Sequence, residues 1–178
     1  MGWTAHDTDL LTVGRGILKF DRWDEDNLPT GLRDMGNATE FGMTVEVTEL
    51  EHFSSREGIK KKDKTINLQA NGKGKFTLEE YDLQNLALMV LGTVSAPDTV
   101  DILQAAGGQI VGELDFVSDN PAGPQFHVII PKVKIKPAGD LPFIGADDWS
   151  KMAFEFSVEE NAACVGWEYG RIIQIGES

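Results

Sequence analysis

With 178 residues, 41% of them hydrophobic and 25% charged, the chain is long enough for one domain with a packed core and lacks the composition of a disordered or fibrous protein. A net charge of −13 argues against sequence-specific nucleic-acid binding. The longest apolar run, around Leu86 to Leu91, falls far short of the roughly 20 residues that a bilayer-spanning helix needs.

Residues 1–9 read as a flexible N-terminal arm. Their opening, Met1-Gly2-Trp3-Thr4-Ala5-His6-Asp7, has neither the cationic start nor the apolar stretch of a secretory signal, so cytosolic synthesis is expected. Leu10 to Phe20 reads as a strand in which Gly14 and Gly16 mark a bulge or a close backbone approach. Residues 21–31 collect Asp, Glu, Asn, Pro and Gly and read as a surface loop. Asp24, Asp26 and Asn27 offer oxygen ligands that calcium favours, but the glycine and distal glutamate of a calcium loop are missing, so a solvated acidic loop is the expectation.

Ala38 to Leu50 alternates cleanly, with Phe41, Met43, Val45 and Val47 on one face and Glu40, Thr44, Glu46 and Thr48 on the other, which predicts a half-buried strand. Residues 51–64 are too polar for a core and are broken by Gly58, so they read as a long projecting loop or hairpin. Two further strands, Thr65–Ala70 and Lys75–Glu79, are expected around a tight turn at Asn71-Gly72-Lys73-Gly74. Asp82 is placed to cap a helix running from Leu83 and closed by Gly92, with Leu83, Leu86 and Val90 or Leu91 toward the sheet.

A Pro-containing loop leads to strands expected at Gln109–Val117, Phe126–Lys136, Lys151–Glu159 and Trp167–Gln174. Lys132, Lys134 and Lys136 share one face of the second of these, while Glu155 and Glu159 share one face of the third, so the two strands are candidates to pair through opposite charges. Many strands and one short helix predict a mainly β fold, a sandwich or barrel of about seven to nine strands in a single domain, flanked by that helix.

Candidate chemistry is sparse. His6, His52 and His127 lack the spacing of a zinc motif, and Cys164 has no second thiol to pair with. Ser54 and Ser55 lie beside His52 but without a nucleophile elbow. Gly14-Arg15-Gly16 and Gly72-Lys73-Gly74 do not lead from a strand into a helix, as a phosphate loop must. Neither catalysis, nor a cofactor, nor a metal is expected. Charge is more informative, because residues 1–50 sum to −6, residues 51–75 to +4 and residues 76–178 to −11. One short segment inverts the sign of the chain.

The run Gly36-Asn37-Ala38-Thr39-Glu40-Phe41-Gly42-Met43-Thr44-Val45-Glu46-Val47, followed by Leu50-Glu51-His52-Phe53-Ser54-Ser55-Arg56-Glu57-Gly58, Lys62-Asp63-Lys64, Phe76-Thr77-Leu78-Glu79-Glu80-Tyr81 and Asn85-Leu86-Ala87-Leu88, resembles the major tail tube proteins of long-tailed bacteriophages. The likeness covers residues 35–92 and carries no appended immunoglobulin-like domain. It implies a β-sandwich with a flanking helix, six copies to a ring whose inner strands join into one barrel, and rings stacked head to tail as the conduit for DNA. Partners implied are further copies of the chain and the tape measure, tail tip and tail terminator proteins, with DNA only in transit, in a virion tail assembled in the host cytoplasm.

On that resemblance the loop 51–64 would insert against the acidic surface of the next ring. Phe53 and Ile59 would be the apolar anchors and Arg56, Lys60, Lys61 and Lys62 the complementary charges, with Ser54, Ser55 and Glu57 beside them. Glu46, Glu155 and Glu159 are candidates for an acidic lumen, since a negative wall would let DNA slide without binding. Two alternatives stay open, a tube subunit of a contractile injection or secretion system and a β-barrel enzyme or small-ligand binder.

Overall fold

The described residues, 11–55, 58–145 and 148–177, of the computed structural model form ten strands, one short α-helix and one 3-10 turn, joined by loops. The longer strands are β1 (Gly16–Arg22), β3 (Ala38–Ser54), β4 (Lys61–Leu78), β7 (Ile110–Ser118), β8 (Pro124–Pro137), β9 (Met152–Val158) and β10 (Arg171–Glu177). Three shorter strands, β2 (Arg33–Asp34), β5 (Thr93–Ala96) and β6 (Thr99–Asp101), complete the set. The main sheet is antiparallel, in the order β2-β1-β7-β8-β9-β4-β3, with β10 also on β8, while β5 and β6 pair apart from it.

The sheet folds over until Phe41 of β3 meets Phe116 of β7 with ring centroids 4.9 Å apart. Leu18 and Phe20 of β1, Ile110 and Leu114 of β7, Ile130 and Ile135 of β8, Phe154 of β9 and Phe76 of β4 are all buried inside that fold. The result is the mainly β, helix-flanked sandwich that the alternation predicts. β8 divides its partners lengthwise, with β10 on Pro124–Ile129 and β9 on Val133–Pro137. Pro131 sits at the fork, a position where a missing N–H breaks no ladder.

Three expectations are corrected. There is no turn at residues 71–74, because β4 runs unbroken through them and pairs with β3 along its length. Gly72 and Gly74 serve close packing instead. A Cβ on Gly74 would lie 2.2 Å from the Phe156 ring and 2.4 Å from the Gly42 carbonyl, and one on Gly72 would lie 3.0 Å from Val158. The glycines thus let β9 lie against β4, a role that the Asn-Gly signature does not distinguish from a turn.

The helix, α1 (Leu83–Met89), begins as expected at Asp82, whose carboxylate accepts from the Asn85 N–H. Its buried face is different, formed by Asn85, Ala87, Leu88 and Met89. Asn85 Nδ2 donates to the Met35 and Glu80 carbonyls, and its Oδ1 accepts from Arg33. These bonds turn Asn85 inward and leave Leu86 at the margin of the core. Leu91, at φ 49°, takes the left-handed position that Gly92 was expected to fill. Gly92 is required instead by the Asp101 carbonyl, which a Cβ would approach to 2.2 Å.

Gly74→Val is expected to destabilise the fold by about 1–3 kcal/mol through overpacking. Gly42→Val, whose Cβ meets nothing within 4 Å, is expected to leave the urea-unfolding midpoint unchanged or raised. Equal losses from the two variants would contradict the packing role of Gly74.

Candidate functional site

β9 pairs with β4 only over Lys73–Leu78, whereas β3 pairs with β4 from Leu78 back to Lys61. Residues 45–54 and 61–72 therefore leave the sheet as a two-stranded arm, about 40 Å long at the usual rise per residue. The polar segment read as a projecting loop is the outer third of this arm. Gly58, among the described residues between the two strands, has φ 81°.

The strand alternation holds, but its cover is missing. Phe41 reaches the core, whereas Met43, Val45 and Val47 on the same face are 42%, 67% and 47% exposed. β4 carries an extra residue opposite β3 at Leu68 and again at Asp63, since Thr48 pairs with Gln69 but Glu49 with Asn67, and His52 with Lys64 but Phe53 with Lys62. Such bulges raise the twist of the ribbon. Alternation puts Leu50 on the face opposite Val47, and the bulge at Leu68 brings Ile66 to that same face as its partner. Apolar side chains thus stand uncovered on both faces of the arm, and each contributes about 1.5–3 kcal/mol when fully buried.

Of the residues expected at an inter-ring contact, Phe53 is 47% and Ile59 73% exposed. Ser54 is half-buried and paired with Lys61, while Ser55 and Lys60 are exposed. Lys62 bonds the Glu51 carboxylate, which raises its pKa. His52 Nδ1 lies 2.6 Å from Asp63 Oδ1. Arg56 and Glu57, like His6 and the residue 1–9 arm, lie outside the described residues.

The residues considered for a lumen wall share one polar sheet face and are joined by ion pairs. β8 and β9 pair, bringing Lys136 Nζ within 2.9 Å of Glu155 and Lys132 Nζ within 3.2 Å of Glu159. Lys73 Nζ lies 2.6 Å from Glu46 and Lys75 Nζ 2.6 Å from Glu40. Lys134, opposite Ser157, adds a fifth lysine to the four glutamates. Hydrogen bonding to Lys136 holds the Glu155 carboxyl below its ordinary pKa. Glu46, Glu155 and Glu159 therefore do not supply an acidic surface, because each is neutralised by a lysine of a neighbouring strand.

At the other end of β4 is a cleft that the sequence reading did not single out. Tyr81 Oη donates to the Pro142 carbonyl at 3.0 Å and Lys151 Nζ lies 3.6 Å from Glu79. These contacts seat a loop beside the strand end and frame a cleft of about 670 Å³ lined by Tyr81, Pro142, Phe143, Asp148 and Trp149. Phe143 and Trp149 are 75% and 84% exposed, and Ile144 beside them is 97% exposed. The available signal was three large apolar residues inside a stretch of Gly, Asp and Pro.

Several polar groups of the loops and strands close local structure. Asp24 Oδ1 accepts from the Asp26 and Leu28 N–H groups, closing its own loop. Asp21 Oδ1 accepts from the Thr30 and Gly31 N–H groups. Arg15 forks onto Asp119, and a Cβ on Gly16 would lie 2.3 Å from the Val117 carbonyl. His127 Nε2 lies 2.5 Å from Asp115 Oδ2. Nearby Glu113 has its pKa raised by burial first, and then by the charges of Asp115 and Asp21. Cys164 is half-buried.

A family model described as protein of unknown function UCP028589 matches residues 11–114, more than half of the chain. The chain belongs to this family. The UCP028589 match takes in β1, both strands of the arm, α1 and the start of β7, and it ends before β8, β9 and β10. No curated protein matches the chain significantly.

Glu113 supplies a pH test. A carboxyl whose folded pKa is raised contributes fully below its unfolded pKa, near 4.3, and loses that contribution as pH rises through the folded value. Glu113→Gln is therefore expected to raise Tm by roughly 1–3 °C at pH 7, with the gain vanishing by about pH 4. A gain that persists at pH 4 would show that relief of charge burial is not its cause.

Proposed function

We propose that this chain is a tail tube subunit of a long-tailed phage, polymerising as stacked rings into the conduit for DNA. The observation that carries this reading is the arm, a long two-stranded ribbon with apolar side chains uncovered on both faces. A two-stranded hairpin is marginal in water by itself, and this one leaves Val45, Val47, Leu50, Ile66 and Leu68 exposed. Cover from further copies resolves both problems, and an arm reaching out of one subunit makes a heterologous contact that propagates. The resemblance over residues 35–92 supports the same assignment, because the arm lies wholly within it.

The polar face of β8, β9, β4 and β3 suits a conduit wall through neutrality rather than acidity. Four of its five lysines are paired with glutamates and Lys134 is the single positive charge in excess, which leaves little free positive charge for phosphate binding with counterion release.

Negative-stain electron microscopy of the purified protein, fresh and after concentration at several salt levels, is expected to show rings or hollow tubes. Val45→Asp with Val47→Asp on the arm is expected to abolish tubes while far-UV circular dichroism stays native. A wild-type protein that stays monomeric, even with a tail-tip complex as initiator, would overturn the proposal.

A further inference from the structure

The tip of the arm and the Tyr81–Trp149 cleft lie at the two ends of one strand. β4 begins at Lys61 beside the tip and ends at Leu78, and Glu79 and Tyr81 of the cleft follow at once. Eighteen residues separate the ends by about 60 Å. No tip can therefore fill the cleft of its own subunit.

The two ends match in chemistry. Residues 51–64 hold five bases and three acids, whereas residues 79–82 and 138–151 together hold six acids and one lysine. Each end also leaves large apolar side chains in water, Phe53 and Ile59 at the tip and Phe143, Ile144 and Trp149 at the cleft. Two tips meeting each other would place like charges together, and so would two clefts. Tip on cleft pairs opposite charges and covers apolar groups on both partners.

We infer that the cleft formed by Tyr81, Pro142, Phe143 and Trp149 is the receptor for the arm tip of a second copy of this chain, which seats Ile59 and Phe53 against Phe143 and Trp149, with Lys60 facing Asp148. This rests on the tube reading and adds to it the receiving surface and the polarity of stacking. Because donor and receptor lie at opposite ends of one strand, each subunit gives in one direction and receives from the other, and the filament has distinct ends.

The test uses two variants of the full chain. Ile59→Ser with Lys60→Glu disables the tip, and Phe143→Ser with Trp149→Ser disables the cleft. All of these positions are exposed, so circular dichroism and Tm are expected to match the wild type. Each variant alone is expected to stop at single rings, and an equimolar mixture to give two-ring stacks of doubled mass by analytical ultracentrifugation, since one good tip then meets one good cleft. Cleft variants that form tubes like the wild type, or a mixture no larger than its components, would overturn the receptor assignment while wild-type tubes leave the tube reading standing. Wild-type protein that forms no rings or tubes would overturn both.

Discussion

The structure depends on a mismatch of length. β4 is eighteen residues long and is held on both edges only over Lys73–Leu78, where β9 lies on one side and β3 on the other. In that stretch Phe76 stacks on Phe154 at 4.9 Å and Leu78 is fully buried, so the strand is anchored by the centre of the core. The rest of β4 has only β3. A ribbon cantilevered from a buried aromatic pair is stiff at its root, and its uncovered apolar side chains drive it toward other surfaces at about 25 cal/mol per Å² removed from water.

Charge is arranged to leave that drive directional. Of the lysines that made residues 51–75 basic, Lys73 and Lys75 belong to the sheet face and are engaged by Glu46 and Glu40. Exposed ion pairs of this kind contribute about 0–1 kcal/mol each, so their effect is on the field more than on stability. With them neutralised, the sign inversion seen in the sequence is confined to the outer part of the arm, where Lys60 and its neighbours stand far from the acids around α1 and β9. In the proposed contact with a second copy, burial would supply the strength and charge would select which end it is made with.

How much was legible in the sequence follows from what each signal reports. Alternation reports side-chain faces, and it located β3, β7, β8 and β9 within a few residues. It does not report what covers a face, which is why Met43, Val45 and Val47 read as half-buried and stand in solvent. Asn71-Gly72 reports permissive backbone, which a turn and a close strand approach both need, and only Phe156 and Val158 against those glycines decide between them. The cap at Asp82 was readable because it is local, whereas the helix face was not, since Asn85 is turned inward by the Met35 carbonyl fifty residues away. Opposite charges on the strands that became β8 and β9 were visible, but the ladder bringing Lys136 to Glu155 needed the register. The cleft at Tyr81 was hidden because its walls come from two segments brought together by the Tyr81–Pro142 hydrogen bond and the Lys151–Glu79 ion pair.

The neutral sheet face changes what a conduit of this chain would ask of its charge. An acidic wall repels phosphates over a Debye length of about 8–10 Å, and such repulsion was the expectation drawn from a chain of −13. Lysine–glutamate pairs 2.6–3.2 Å apart cancel at distances much larger than their separation, so a phosphate strand moving past would meet short-range dipoles of alternating sign. Neither sustained attraction nor sustained repulsion results, and no counterions are released to hold the strand in place. The acidic excess then lies on other surfaces, among them the exposed loops around Asp24 and Asp148.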